Sequence, residues 1–192
     1  MAILSIKTYP EAILSQVAKP VTEITPAHVI LSNDMLETMY AAPGIGLAAP
    51  QVGHSIRLIV IDTRYRDSGG KVDSDEMTEL ERNFPFPLRL FNPVNTKREG
   101  KTKFDEGCLS VPGFIETVQR ASHVEFEALI PDKGKMQFKV DGLLAVCVQH
   151  EIDHLDGKLF IDRLSTVKRS LIRSKIKKHG YSSRDDLKRH IL

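Results

Sequence analysis

The stretch DGLLAVCVQHEIDHLDG, residues 141–157, constrains the fold more than any other part of the sequence. Its apolar run has the length of a helix, with Asp141 in front of it as an N-terminal cap and Gly157 behind it as a terminator. These signals predict a helix over Gly142–Leu155. In such a helix, side chains three or four positions apart share a face, so its spacing decides which groups can act together.

Two histidines in this helix, His150 and His154, are four residues apart and project from the same face, so both can reach one ion. Glu151 lies on an adjacent part of that face, where a carboxylate can move the proton of a water next to a metal. Metal-assisted hydrolysis uses this His-Glu-x-x-His arrangement. The alternative is a surface helix with solvated histidines, because a five-residue match also arises by chance.

Hydrolytic metal sites usually have three protein ligands and one open position, so a third ligand is needed. Three groups downstream of the helix motif are poorly placed for this role, namely Asp156, Asp162 and His179. Cys147 lies about 10 Å along the helix axis from His154, which is too far for its short side chain, and it is interpreted as a small apolar residue. Cys108, in the glycine- and proline-containing stretch FDEGCLSVPG, can fold back onto the helix. We predict that Cys108 and the two histidines bind Zn²⁺, Fe²⁺, Co²⁺ or Ni²⁺.

The stretch APGIGLAAPQVG, residues 42–53, is rich in small residues. Its GxGxxA pattern superficially matches a dinucleotide-binding fingerprint, but that motif follows a strand and opens a helix. Here the pattern follows a predicted helix and precedes a predicted strand, which argues against nucleotide binding. We interpret the stretch as a loop that a ligand chain can approach closely. Gln51 would then project an amide donor at the reacting centre, and the alternative is a glutamine that buttresses a turn.

The remaining patterns favour an α+β domain with helices near both ends around a mixed or antiparallel sheet. Thr25-Pro26 predicts the start of a helix that extends to about Ala42, and the tail has helical spacing from about Ser165 to Lys178. The polar, acidic segment Asp67–Pro87 is interpreted as a surface excursion. Strands are predicted over Ser55–Asp62 and Leu88–Pro93, and an antiparallel hairpin over His123–Ile130 and Lys135–Val140.

Length and charge predict one domain, with a metal-binding body over residues 1–164 and a basic helical tail over residues 165–192. The net charge is only +2, but ten Lys and Arg from Arg163 onward oppose two Asp, whereas residues 1–162 carry a net charge of −6. This tail suggests a polyanionic neighbour, and the alternative is a solvated amphipathic helix. The absence of a signal-peptide pattern, of a membrane-spanning run and of a disulfide framework predicts a reduced, cytoplasmic protein.

Three of these stretches, GIGLAAPQVG, EGCLS and QHEIDHLDG, resemble the three signature motifs of the peptide deformylases, in the same order. The resemblance extends to ILSIKTYPEAIL, VAKPV, the FNP strand and GKLFIDRLS, and it is closest to bacterial members. It implies an α+β fold in which antiparallel sheets pack around the central metal-binding helix. It also implies removal of the N-formyl group from the initiator methionine of new chains, with release of formate.

Position by position, the resemblance implies that Cys108, His150 and His154 bind one catalytic metal and that Glu151 is the general acid and base. Gln51 and the backbone N–H of Leu109 would stabilise the oxyanion. Substrate-binding positions would be Ile45, Gly46 and Gly107. Iron is the expected metal, with zinc, nickel and cobalt as alternatives. A weaker transfer is an ion pair between Glu106 and Arg120.

The expected partners are N-formylmethionyl nascent peptides and, through the basic tail, the ribosome, with no membrane and no direct DNA binding. Asp67–Pro87 departs from the family pattern because it is longer than the compact connection expected in bacterial members. Two other functions stay open on the residues alone. A metallopeptidase would cleave internal peptide bonds without needing Cys108, and a non-catalytic metal-binding module would leave Glu151 as a solvated helix residue.

Overall fold

The computed structural model describes residues 2–66, 72–73 and 77–181, and these residues form nine β-strands and four α-helices. The strands are β1 Gly46–Ala48, β2 Leu58–Ile61, β3 Tyr65–Arg66, β4 Val72–Asp73, β5 Leu88–Glu99, β6 Thr102–Glu106, β7 Glu116–Arg120, β8 His123–Ile130 and β9 Gly134–Val140. The helices are α1 Pro26–Ala41, α2 Glu79–Arg82, α3 Gly142–Leu155 and α4 Thr166–His179. Short 3-10 turns cover Ala12–Ser15, Ala49–Val52 and Phe160–Arg163.

A five-stranded antiparallel sheet in the order β1-β2-β5-β8-β9 forms the centre of the protein. β2 is buried along its whole length, as expected for its apolar sequence LIVI. This strand is shorter than the predicted range Ser55–Asp62, and within that range Ile56 forms a parallel bridge with Lys19 instead. β8 and β9 pair in continuous register, so the predicted hairpin is confirmed.

β5 extends beyond the predicted range Leu88–Pro93 because a bulge lets the strand continue past the proline. Pro93 has no N–H to donate, and the register with β8 shifts at this point. Asn92 adopts a φ of 49°, and its side chain pairs with the N–H and the C=O of Val21 at 2.8 and 2.7 Å. The predicted end of this strand at Pro93 was therefore wrong.

α3 packs against this sheet and confirms the predicted central helix. Every residue from Leu144 to Leu155 is buried. Apolar side chains of α3 join the core cluster that includes Ile59, Leu90 and Phe126. A helix buried on all sides leaves its polar groups without water, so they need partners inside the protein. The predicted class, α+β with antiparallel sheets around a metal-motif helix, is confirmed.

β6 and β7 form a separate antiparallel hairpin that the sequence analysis did not predict. Both strands are mostly polar, so the alternation of apolar and polar residues that marks a half-buried strand is weak. β6 ends at Glu106, and the turn that follows it contains Cys108. The hairpin therefore places the EGCLS stretch, with Cys108, next to α3.

The connection between β2 and β5 alternates exposed and inward-facing residues over 77–87, so the prediction of a surface excursion holds only in part here. Glu81 in α2 is 1% exposed, and Phe84 and Phe86 pack against the core cluster. Residues 67–71 and 74–76 of the predicted excursion lie outside the described residues.

The N-terminus of α3 is capped by this connection and not by the side chain of Asp141, which corrects the sequence prediction. The N–H of Leu144 donates to Oε1 of Glu81 at 2.5 Å. Asp141 instead accepts a hydrogen bond from the hydroxyl of Thr78 at 2.6 Å. A cap that comes from 63 positions earlier leaves no signal in the local sequence.

Helices α1 and α4 confirm the predicted helices near both ends of the chain. The hydroxyl of Thr25 caps α1 by accepting from the N–H of His28. Ile172 and Ile176 in α4 are buried in an apolar cluster that includes Cys108, so α4 packs against the body. Residues 182–192 of the predicted tail lie outside the described part. Across the described ranges, no helix combines the length and apolar character that crossing a membrane requires.

Candidate metal centre and active site

Cys108, His150 and His154 form one cluster, although Cys108 is 46 positions away from His154 in the chain. The three candidate ligand atoms, one from each residue, all lie within 4.8 Å of one another. Sγ of Cys108 is 3.3 Å from Nε2 of His154. The other cysteine, Cys147, is not a member of this cluster.

The turn after β6 fixes the position of the cysteine, and α3 fixes both imidazoles. The C=O of Cys108 accepts from the N–H of Val111 at 2.9 Å, which closes the turn. The N–H of Ser110 points at Sγ of Cys108 from 3.4 Å. On the helix, the rings of His150 and His154 lie with their centroids 5.0 Å apart, as expected for an i, i+4 pair.

The donor set fits a divalent transition metal. One thiolate and two imidazoles suit Fe²⁺, Zn²⁺, Co²⁺ or Ni²⁺, whereas Mg²⁺ and Ca²⁺ take oxygen ligands. Burial acts to lower the pKa of His150, but its contacts with Cys108 and Glu106 raise this pKa well above the ordinary value. Burial and the neighbouring His150 lower the pKa of His154 well below its ordinary value, so this imidazole is neutral, the form that binds a metal. Oε2 of Glu151 is buried without a hydrogen-bond partner among the described residues, so it can bond to a ligand at the centre.

Glu106 orients the imidazole of His150 through a contact with the Nδ1 atom of the ring. Nδ1 of His150 lies 2.8 Å from Oε2 of Glu106, which leaves Nε2 free to face the cluster. Arg120 donates two hydrogen bonds to the same carboxylate, at 2.7 and 2.8 Å, so the predicted Glu106–Arg120 ion pair is confirmed. Burial alone would raise the pKa of Glu106, but the hydrogen bonds from Arg120 and His150 lower it to about 2.

Arg120 also forms an ion pair with a second buried carboxylate, Asp153, which the sequence analysis did not predict as a site residue. Arg120 donates to Oδ2 of Asp153 at 2.5 Å, and Arg163 donates to both oxygens of Asp153 at 2.5 and 2.6 Å. The side chain of Arg120 has no exposed surface. Asp153 lies between His150 and His154 in sequence, so these ion pairs hold the helix segment that carries the histidines.

Glu151 is 3% exposed and lies against β1. Burial raises the pKa of Glu151 to about 7. A Cβ atom at Gly46 would overlap Oε1 of Glu151 and lie 2.8 Å from Sγ of Cys147. Gly46 is therefore required for the close packing of β1 on α3, a structural role that the sequence analysis did not assign to it.

The side-chain amide of Gln51 is oriented by contacts at both ends. Its Oε1 accepts from the N–H of Ala48 at 2.8 Å. Its Nε2 donates to the hydroxyl of Ser110 at 3.2 Å and lies 3.7 Å from Sγ of Cys108. The amide N–H₂ group therefore points towards the cluster. Ser110 was missed by the sequence analysis because a serine in a turn carries no distinctive signal.

All predicted site residues except His154 line one cleft of about 60 Å³. Ile45 and Gly46 line it from the side of β1, which is the edge strand of the central sheet, while Gly107 and Leu109 line it from the turn after β6. His154 does not line the cleft, but its Nε2 lies 3.3 Å from Sγ of Cys108. An apolar wall that the sequence analysis missed completes the cleft and consists of Phe104, Leu143 and Val146.

Comparisons with known proteins identify the family of this chain. The family model for polypeptide deformylase matches residues 3–170. A curated peptide deformylase from Alkalilimnicola ehrlichii is 47% identical over 178 residues, which cover 93% of this chain and 91% of that protein. A curated peptide deformylase from Cellvibrio japonicus is 46% identical over 179 residues, which cover 93% and 96% of the two chains.

Solved structures give the same result. The crystal structure of a peptide deformylase from Legionella pneumophila superposes with a TM-score of 0.77 at 42% identity, covering 92% of this chain and 95% of that one. The peptide deformylase from Ehrlichia chaffeensis in complex with actinonin superposes with a TM-score of 0.80 at 35% identity, covering 93% and 99%. This chain belongs to the peptide deformylase family, whose enzymes depend on a metal and remove the N-formyl group from nascent peptides.

Proposed function

We propose that this chain removes the N-formyl group from N-formylmethionine at the start of new polypeptides. Cys108, His150 and His154 would bind the metal, and Glu151 would be the general acid and base. The observation that carries the proposal is the convergence of these three ligand atoms within 4.8 Å beside a buried carboxylate. When bound, a divalent metal at this position lowers the pKa of water and polarises the formyl carbonyl. Fe²⁺ is the metal proposed, because the family resemblance implies iron; the thiolate and two imidazoles suit it as they suit Zn²⁺, Co²⁺ and Ni²⁺.

Glu151 moves the proton. Burial raises the pKa of Glu151 above its ordinary value, and a carboxylate shifted in this direction is suited to take up a proton and return it. It accepts the proton of the attacking water and returns it to the leaving amine of methionine. The free Oε2 atom gives Glu151 the hydrogen-bonding capacity for both steps.

Gln51 and the backbone N–H of Leu109 stabilise the negative charge that develops on the formyl oxygen. The bonds that Gln51 makes to Ala48 and Ser110 hold its amide in place before the substrate arrives. A preorganised donor of this kind typically contributes about 3 kcal/mol to transition-state stabilisation.

The substrate chain lies along β1, since an edge strand offers backbone groups to an incoming peptide. Ile45 and Gly46 pair with its backbone, and Gly107 leaves room for it on the opposite side. The narrow cleft beside the cluster admits a formyl group and excludes longer acyl chains. This steric limit distinguishes a deformylase from a general peptidase.

The test is formate release from a formyl-methionyl peptide by protein purified without oxygen, with the metal content measured on the same samples. We expect formate from the unchanged protein, and loss of both metal and activity in Cys108→Ala. Cys147→Ala is the matched control, since it removes the other buried cysteine and should retain the metal. A metal-loaded protein that releases no formate but cleaves an internal peptide bond would contradict the proposal.

We further propose that the enzyme works in the cytoplasm, where new chains emerge, and that α4 contacts the ribosome. Lys168 and Arg173 on α4 are already paired, with Glu116 at 2.6 Å and Asp162 at 2.8 Å. Three basic residues near the end of the helix supply the charge for RNA, namely Lys175, Lys177 and Lys178.

Because α4 also buries Ile172 and Ile176, charge reversal of these lysines tests the contact better than truncation. Unchanged co-sedimentation with ribosomes would contradict it.

A further inference from the structure

The two proposed oxyanion donors lie in turns that come from distant parts of the chain. Gln51 lies in the 3-10 turn Ala49–Val52, and Leu109 lies in the turn after β6. Within the site, one side-chain contact joins the two turns, because Nε2 of Gln51 donates to the hydroxyl of Ser110 at 3.2 Å. One such bond is weak, so a further link between the turns matters for keeping both donors in place.

The N-terminal segment of residues 7–9 supplies a second link through its backbone. The N–H of Lys7 donates to the C=O of Gln51 at 2.7 Å. The N–H of Tyr9 donates to the C=O of Ser110 at 2.9 Å. Because the backbone has only two soft dihedral angles per residue, two N–H groups two positions apart hold the two carbonyls at a nearly fixed separation. Residues 7–9 therefore bridge the two turns.

This bridging segment is itself anchored to α4. The hydroxyl of Tyr181, just after α4, donates to the C=O of Tyr9 at 2.8 Å. The guanidinium carbon of Arg173 on α4 lies 5.5 Å from the centroid of the Tyr9 ring, within the range of a cation–π contact. Tyr9 and Tyr181 also pack against the apolar cluster that contains Cys108. The position of the segment therefore depends on the end of α4 as well as on the two turns.

Ser110 passes this position on to its neighbour Leu109. The C=O of Ser110 accepts from Tyr9, its hydroxyl accepts from Gln51, and its N–H points at Sγ of Cys108 from 3.4 Å. Since Leu109 lies between Cys108 and Ser110 in the chain, these contacts also orient its N–H. An oxyanion donor is effective when it is preorganised at the position that the charge will occupy, so a shift of either turn weakens the stabilisation.

We infer that residues 7–9 are a positioning segment for catalysis, in which the N–H groups of Lys7 and Tyr9 keep the two oxyanion donors at a fixed separation. The three residues of this segment do not line the cleft, so they act through Gln51 and Ser110 and not on the substrate. This inference rests on the deformylase activity and the oxyanion donors proposed above.

The experiment compares Lys7→Pro with Lys7→Ala in the metal-loaded enzyme, using a formyl-methionyl peptide. Both variants lose the lysine side chain and its pair with Glu11, but only proline also removes the N–H that bonds to Gln51. We expect Lys7→Pro to lower kcat per bound metal about tenfold to a hundredfold with little change in KM, as for a displaced catalytic group. Lys7→Ala keeps the N–H and should restore most of this loss. A merely structural role would lower stability and leave kcat per bound metal unchanged.

Tyr181→Phe tests the same segment without changing the backbone, and it decides the question if Lys7→Pro does not fold. This variant removes the hydrogen bond to the C=O of Tyr9 and keeps the aromatic ring. We expect kcat to fall about twofold to tenfold, the effect of one neutral hydrogen bond, while KM and metal content stay unchanged. Circular dichroism and metal content show which variants fold.

Gln51→Ala separates this inference from the activity on which it rests. A fall of kcat in Gln51→Ala without a fall in the deciding variant would overturn the positioning segment and leave the oxyanion donors intact. An equal fall in Lys7→Pro and Lys7→Ala would assign the effect to the lysine side chain and would also overturn the segment. No formate from the unchanged, metal-loaded protein would instead overturn the proposed activity and, with it, this inference.

Discussion

Gly46 and Glu151 are coupled because the glycine leaves the space that the carboxylate occupies. We expect Gly46→Ala to push Glu151 away from the cluster and to lower kcat/KM about a hundredfold, since misplacing a catalytic group by about 1 Å has an effect of this size. Steady-state formate release and metal content measure the result. Gly107→Ala is the comparison, because a Cβ there meets no atom closer than 3.7 Å and leaves Glu151 in place, so any loss from crowding the substrate should appear in KM and not in kcat. Full activity in Gly46→Ala would contradict this account.

Gln51 provides a prediction about charge stabilisation. Gln51→Ala removes one preorganised donor, so we expect kcat to fall by about a hundredfold to a thousandfold while the metal stays bound. Ser110→Ala keeps the amide but removes one of the groups that orient it, and we expect a smaller loss. Measured kcat, KM and metal content separate the two roles. If the larger change appears in KM and not in kcat, Gln51 acts in ground-state binding instead.

At the scale of residues, the sequence predicts best those groups whose spacing on one helix forces them together, such as His150 and His154. Cys108 required an argument by elimination and the family resemblance, because nothing local places it near α3. Ser110 and Asp153 were missed, since each acts by orienting another residue. An orienting residue can be any polar side chain within reach, so the sequence does not mark it.

Among the elements, α3 depends on α2 for its N-terminal cap. Glu81→Ala leaves the buried N–H of Leu144 without its acceptor, so we expect a loss of about 1–2 kcal/mol in the free energy of unfolding. Urea denaturation monitored by circular dichroism measures the loss. Glu79→Ala, in the same short helix but exposed, should change stability little. Equal stability of the two variants would show that Glu81 does not cap α3.

The elements that were predicted correctly carry their signals locally. The β8–β9 hairpin alternates around a turn, and α1 begins with a threonine cap followed by proline. The β6–β7 hairpin was missed because each strand has a single apolar residue, Phe104 or Val118, among polar ones. The β5 strand was predicted too short because Asn92 stabilises a bulge by bonding to distant Val21. Long-range pairing, which the sequence does not display, decides these cases.

Across the whole molecule, a buried charge network joins β6, β7, α3 and the turn before α4. Arg120 bridges Glu106 and Asp153, and Arg163 reaches Asp153 from the 3-10 turn. Asp153→Ala leaves the fully buried guanidinium of Arg120 with one partner, so we expect a loss of about 3 kcal/mol in unfolding free energy. Glu125→Ala, which breaks a largely exposed pair with Lys139, should cost less than about 1 kcal/mol. A similar loss in both variants, measured by chemical denaturation, would contradict a special role for the network.

A bound metal should stabilise the whole fold, because its ligands come from two parts of the chain that the unfolded state does not hold together. Cys108 lies in the turn after β6 and the two histidines lie on α3, so only the folded chain presents all three atoms within 4.8 Å. At a free metal concentration of one hundred times Kd, binding adds about 2.7 kcal/mol to the free energy of unfolding, which raises Tm by roughly 5–10 °C for a chain of this size. Calorimetry before and after chelation measures the shift, with Cys108→Ala as the variant in which it should nearly disappear. An equal shift in that variant would mean that the metal binds elsewhere, and the cysteine would lose its assignment as a ligand.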